Sequence, residues 1–193
     1  MSLMEHVYSV LIVSAAEKLN TSILSILPAT RYQPVKTVTS VSAARRAFSE
    51  RSFDCIIINS PLPDDAGISF AETTAASSGT VVLMLVKEEL LDDIRDEVVS
   101  HGVFTMARPV SRSLMTLALD WMESARERLR KTEQKTLSFE EKMEEIRLVN
   151  RAKWILISEL KMDEPQAHRY IEKQAMDRCV TKKEIAEEII ATY

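Results

Sequence analysis

Through the first two-thirds of the chain, short runs apolar at nearly every position alternate with segments whose apolar residues recur every three or four positions. The runs are Val7 to Val13, Gln33 to Thr39, Phe53 to Ile58, Val81 to Val86 and Val103 to Met106; Gln33 to Thr39 is the weakest. A strand apolar on every residue is buried on both faces, as in a parallel sheet covered by helices. The helical segments fall between them. Ser14-Ala15-Ala16-Glu17 reads as a capping box opening a helix through Leu19, Ile23, Leu24 and Leu27. Ala43, Ala44, Ala47 and Phe48 mark a second helix, Ile68 to Ala76 a third, and Glu88 to Ser100 a fourth with Leu91, Ile94 and Val98 on one side. Five successive βα units predict a doubly wound α/β sheet of the flavodoxin-like order with right-handed crossovers.

After Pro109 the strand pattern stops. From Ser111 to Leu160 the chain has no Gly or Pro and is helix-forming almost throughout. Leu114, Leu117, Trp121, Ala125 and Leu129 stand at heptad-like spacings among charged residues, the pattern of a helix that packs against a second copy of itself. The seam weakens at Thr132 to Thr136. Ser138-Phe139-Glu140-Glu141 reads as another capping box, predicting a break or restart there. Three amphipathic helices then close the chain. The first carries Ile146, Val149, Ala152, Leu156 and Leu160. The second opens at Asp163-Glu164-Pro165-Gln166 and carries Ala167, Tyr170, Ile171 and Ala175. The third opens at the capping box Thr181-Lys182-Lys183-Glu184 and carries Ile185, Ala186, Ile189 and Ile190.

Composition narrows the classes. Of 193 residues, 46% are hydrophobic and 28% charged, as in a globular protein, and the net charge of -4 requires any nucleic-acid contact to come from a local patch. Cys55 sits in an apolar run and reads as a small buried hydrophobe, too far from Cys179 for a disulfide framework. His6, His101 and His168 are scattered, so no metal site is expected. No apolar run reaches spanning length and no charged-then-apolar leader opens the chain. The opening Met1-Ser2-Leu3-Met4 reads as an appended leader before a start at Met4. These features predict a cytoplasmic protein with no membrane partner and no cofactor. The absence of a nucleophile–base pair, a metal cluster or a phosphate-cradling Gly loop argues against an enzyme.

Asn59-Ser60-Pro61-Leu62-Pro63-Asp64-Asp65-Ala66-Gly67 carries a resemblance. Residues 4–125 resemble the receiver domain of two-component response regulators. In that family the third strand ends in an aspartate, with an apolar residue three on, a proline four on and a glycine eight on. Leu62, Pro63 and Gly67 stand at those offsets from Asn59. The family's acidic pair after the first strand corresponds to Ser14 and Ala15, its hydroxyl residue at the end of the fourth strand to Val86, and its lysine after the fifth to Arg108. The resemblance therefore implies a pocket without phosphoryl chemistry. An amide is not a competent nucleophile, and Mg²⁺ wants carboxylate oxygens. A register shifted by a few residues would make Asp64 or Asp65 the acceptor, at the cost of the Pro and Gly offsets.

Residues 138–193 resemble the ANTAR domain of transcription antitermination regulators, through Arg151-Ala152-Lys153, Glu164, Ala167, Tyr170, Ile171, Ala175-Met176, Ile185-Ala186 and Ile189-Ile190. Trp154 departs from the small residue common there. The resemblance implies a homodimer that binds paired hairpins in a transcript leader, joined to its receiver by a helical, coiled-coil linker over 111–140 and open to a regulatory protein partner. Candidate RNA contacts are Arg147, Arg151, Lys153, Arg169, Lys173, Arg178, Lys182 and Lys183, with Lys153 foremost because it is cationic beside the apolar stripe. Trp154, His168 and Tyr170 are possible stackers, Tyr170 being placed by its stripe in the core. Acidic residues outnumber basic ones in this segment, which leaves a protein-interaction adaptor open. Three helices also leave a DNA-binding helix-turn-helix open, although no helix presents a run of basic and amide residues.

Overall fold

The computed structural model describes residues 6–76 and 79–193, so the expected start at Met4 lies outside the described residues. It divides into two compact units, Met1–Glu133 and Gln134–Tyr193. The first holds a five-stranded parallel sheet of β1 (Tyr8–Val13), β2 (Tyr32–Val38), β3 (Cys55–Asn59), β4 (Val81–Lys87) and β5 (Phe104–Arg108), in the order β2-β1-β3-β4-β5. Each strand lies within a residue or two of its apolar run. The interleaved helices are α1 (Glu17–Leu24), α2 (Val41–Glu50), α3 (Ile68–Ala76) and α4 (Leu91–Val98), and α5 (Arg112–Leu160) follows the last strand.

Strand periodicity divides the core in two. Leu11, Val13, Ile56, Ile58, Val82, Met84 and Val86 meet α2, α3 and α4 through Ala44, Ala47, Phe70, Ile94 and Val98. Val10, Ile12, Cys55, Ile57, Val81, Leu83 and Leu85 meet Ile23 of α1 and Met115, Ala118, Leu119 and Met122 of α5. β2 is an edge strand with most side chains in solvent, which is why its apolar run is weak. Cys55 is buried as expected; burial pushes its thiol up to about 12, and both cysteines are free.

Four expectations are corrected. Ser14 does not cap α1: the cap position is Ala16, without a side-chain bond, while Ser14 is fully buried and its hydroxyl is engaged elsewhere. The helix also ends at Leu24, short of Leu27. The fourth helical segment is a helix between two 3-10 turns, Glu88–Leu90 and Val99–His101. Ser138 starts nothing, because α5 runs uninterrupted from its Ser111 cap to Leu160. Helix backbone already satisfies the N–H groups a cap would serve, and no Gly or Pro stops the turn.

In the second unit the end of α5, α6 (Glu164–Arg178) and α7 (Lys182–Thr192) enclose Ala152, Leu156, Ala167, Ile171, Ala175, Ile185, Ala186 and Ile189. Ile146 and Leu160 of the expected stripe are exposed instead, and so is Tyr170, at the edge of its stripe. Two starts are capped as the sequence predicts. Asp163 accepts from the Gln166 N–H at 2.7 Å and Gln166 accepts from the Asp163 N–H at 3.0 Å. Thr181 and Glu184 make the same reciprocal pair at 3.2 and 2.9 Å. Each cap stabilises its helix by about 1 kcal/mol. Among the described residues, no helix is long and apolar enough to cross a membrane.

Candidate functional site

The C-terminal edge of the sheet is where receivers do their chemistry. β3 delivers Asn59 there, buried at 5% exposure, and its amide nitrogen donates to the Ser14 hydroxyl at 3.2 Å. The same hydroxyl accepts from the Ala16 N–H at 3.1 Å, a bond that holds the β1–α1 turn. Arg108 leaves β5 and donates from Nη2 to the Ser60 carbonyl at 2.7 Å. Asn59 and Arg108 line one surface cavity of about 740 Å³ with Ala16, Leu19, Lys87, Glu88, Glu89, Pro109 and Val110.

Of the five residues expected in this pocket, Asn59 and Arg108 line it and Ser14 braces Asn59 from behind. Ala15 is exposed beside it. Val86 is not brought to the cavity but packs in the α2–α4 core, because strand alternation turns it to that face. Lys87, one residue on, takes the place at the lining.

Asp64 and Asp65 are committed elsewhere. Asp64 accepts from the Val41 and Ser42 N–H groups, each at 2.9 Å, at the start of α2. Those bonds, Ser42 first, hold its carboxyl below the usual range. Asp65 accepts from the Gly67 N–H at 2.6 Å in its own turn. A hydroxyl, a methyl and an amide do not fit Mg²⁺, which wants several oxygen ligands including carboxylates. Among the described residues no group of three or more His, Cys, Asp or Glu is placed to hold a metal.

At the opposite edge of the sheet lies a polar network that sequence reasoning missed. Asp54, just ahead of β3, accepts from the Ser9 N–H, the Ser9 hydroxyl and Arg126 Nε, each at 2.8 Å. Burial alone would raise its carboxyl, but these bonds, the Ser9 N–H foremost and then Arg126, hold it below the ordinary value. Arg126 reaches on to Glu133 at 3.3 Å. Tyr8 donates to Glu127 at 3.1 Å, and burial and that contact push its hydroxyl up to about 12. Arg31 and Tyr32 both bond to Glu123. Little more than one turn of α5, Glu123 to Glu127, is thus clamped to the strand starts. No local signal could have found a contact such as Asp54–Arg126, whose partners are 72 residues apart.

The expected interface stripe on α5 divides. Leu114, Leu117, Trp121 and Leu129 are exposed, Trp121 by 52%, whereas Ala125 packs against the core.

In the C-terminal unit the eight candidate cations fall into two sets. Lys153 donates to Glu164 at 2.8 Å with its side chain only 16% exposed, so the foremost candidate is already paired. Arg178 forms a bidentate pair with Glu188 at 2.5 and 2.7 Å. Lys182 pairs with Glu172 at 2.5 Å and Lys183 with Glu187 at 4.0 Å. Among the described residues Arg147, Arg151, Arg169 and Lys173 have no such partner.

Arg147, Arg151 and Trp154 follow at helical spacing and share one side of α5, with the indole 71% exposed. Glu140 and Glu144 continue that side towards the N-terminus and bound the basic patch. On another flank a groove of about 400 Å³ is lined by residues that include Lys142, Ile146, Asn150, Lys153, His168 and Lys182. Lys142 and Asn150 were not anticipated there, since nothing in their spacing marks a groove.

The fold and the family match together describe a receiver-fold domain followed by an ANTAR domain, the latter matched over residues 138–190. The chain is similar to the transcriptional regulatory protein PdtaR of Mycobacterium tuberculosis, with 28% identity over 142 residues, 72% of this chain and 68% of that protein. For the fold, the chemotaxis response regulator CheY4 of Vibrio cholerae superimposes with a TM-score of 0.53 at 21% identity, covering 60% of this chain and 98% of that one. A response regulator receiver domain protein from Clostridium thermocellum gives 0.56 at 18%, covering 64% and 99%.

Proposed function

We propose that this chain is an RNA-binding transcription antitermination regulator, acting as a homodimer on paired hairpins and independent of aspartyl phosphorylation. The observation that carries the RNA reading is the ANTAR match over a domain whose Arg147 and Arg151 have no ion pair among the described residues and precede an exposed Trp154 on one side of α5. Unpaired guanidinium groups neutralise phosphates without first giving up a carboxylate, and aromatic or guanidinium planes stack on splayed loop bases. The exposed stripe of Leu114, Leu117, Trp121 and Leu129 supports self-association. Asn59 in the acceptor position supports control by a partner protein or by standing dimerisation.

The test is a titration against tandem-hairpin RNA, single-hairpin RNA and duplex DNA at two salt concentrations, with loop sequences varied. The expected result is preference for two hairpins, weakened by salt and by Arg151→Ala. Equal affinity for duplex DNA would favour a DNA-binding regulator. No binding by a verified folded dimer would favour a protein-interaction adaptor. Acetyl-phosphate labelling followed by mass spectrometry should leave Asn59, Asp64 and Asp65 unmodified, and robust label on any of them would overturn phosphorylation independence.

A further inference from the structure

We propose that the remodelled receiver pocket is a standing, metal-independent site for a phosphate group held non-covalently. The argument begins with two orphaned atoms. Asn59 Oδ1 and Arg108 Nε are both buried and make no hydrogen bond within the protein, and both residues line the same cavity. Buried polar atoms are rarely left unpaired, because each costs the free energy of a lost hydrogen bond. A cavity of about 740 Å³ holds far more than a single water.

Charge decides what enters. In the receiver pattern the acid pair and the acceptor would put carboxylates on the floor, and an anion could approach only with Mg²⁺ between. Here Ser14, Ala15 and Asn59 bring no charge to that floor, while Arg108 and Lys87 bring two cations to the lining. Glu88 and Glu89 also line the cavity and, like Lys87, stand exposed where solvent screens them, so the less exposed Arg108 is the charge that weighs most inside it. The amide adapts as well. Turned half round, Asn59 accepts the Ser14 hydroxyl proton at Oδ1 and offers Nδ2 to the cavity. Arg108, Asn59 and Lys87 then bring three donor-bearing side chains to the lining of one cavity, a number suited to the oxygens of a phosphate. Leu19, Pro109 and Val110 add apolar lining for the body of a small phosphorylated molecule. No bond to phosphorus forms or breaks.

The experiment is calorimetric titration of the full chain with inorganic phosphate, and in a parallel arm with acetate, at constant ionic strength and without Mg²⁺. One saturable phosphate site per chain, with weaker acetate binding, is expected. Arg108→Gln should weaken phosphate about tenfold by removing a charged donor. Asn59→Asp, nearly isosteric and so expected to fold, should weaken it at least as much by returning a carboxylate to the floor. Lys36→Ala, on the exposed edge strand β2 and away from the cavity, should leave it unchanged. The proposal is overturned by the absence of saturable binding, by equal acetate and phosphate affinity, by binding that survives Arg108→Gln, or by an Asn59→Asp variant that binds as well as the parent. Each of these outcomes leaves the RNA reading untouched, since that reading rests on the other unit.

Discussion

The two ends of one sheet use polar residues in opposite ways. At the strand starts nearly every charge is taken: Asp54 by Ser9 and Arg126, Glu123 by Arg31 and Tyr32, Glu127 by Tyr8 and Arg130. At the strand ends, where receivers keep their chemistry, Asn59 has one bond to a hydroxyl and a bare Oδ1, and Arg108 has a bare Nε. A polar group whose partners lie inside the chain holds the fold together. One that is buried without partners is available to something outside the chain. Residue type alone does not distinguish the two uses.

The largest test of this contrast is stability. Arg126 and Asp54 are only 14% and 15% exposed at their side chains, so Arg126→Met should leave an uncompensated carboxylate and cost roughly 3 kcal/mol in denaturant unfolding of the full chain. Asn59→Ala, at the other edge, should cost about 1 kcal/mol, because it removes one neutral hydrogen bond along with an atom already unpaired. Equal losses would break the comparison.

Acid should act on the same clamp. Asp54 is held below its ordinary value in the folded chain, so its contribution is fully present above the unfolded pKa, near 4. It is lost as pH falls through the lower, folded value. The acid limb of a stability–pH curve should therefore flatten in Asp54→Asn, and an unchanged limb would show that other carboxylates set it.

The contrast extends to the C-terminal unit, where Trp154 stands 71% exposed. Trp154→Ala should weaken hairpin RNA by about 1–3 kcal/mol if the indole stacks on a loop base. Its emission, read in a Trp121→Phe background, should quench on binding. Full affinity with unquenched emission would assign the indole to a protein contact.

Much of this was legible in the sequence, because the deciding signals were local. Alternation along Leu11, Ile12 and Val13 gave both faces of the sheet, and the offsets of Leu62, Pro63 and Gly67 placed Asn59 at the end of β3. Asp163 and Thr181 capped as read. Ser14 and Ser138 had the same capping spacing and did not cap. What separates the pairs is what forces the chain out of helix upstream. Lys161 adopts a left-handed conformation at φ 56° and Pro165 stands in the first turn of α6, so Asp163 has a real start to serve. Ser138 has only helix before it, and the Ser14 hydroxyl is taken by Asn59. The clamp at the strand starts was illegible for a different reason: it joins residues from opposite ends of a domain, and charge spacing along a helix says nothing about which strand start it will meet.

Lys153 shows the same limit in the proposed interface, and supplies the smallest test. Its sequence position beside the apolar stripe made it the foremost RNA contact, but the position could not reveal Glu164, 11 residues on, which holds its ammonium. The pair draws the Glu164 carboxyl below its ordinary range. RNA would have to displace that carboxylate before it could use the lysine, whereas Arg151 offers its charge at once. Arg151→Ala should therefore weaken hairpin binding by about 1 kcal/mol and lower the salt slope by about one. Lys153→Ala should move both less, and Glu164→Gln should strengthen binding slightly by freeing the ammonium. If Lys153→Ala proves as damaging as Arg151→Ala, the internal pair yields to RNA. Internal pairing would then no longer separate binding cations from structural ones in this domain.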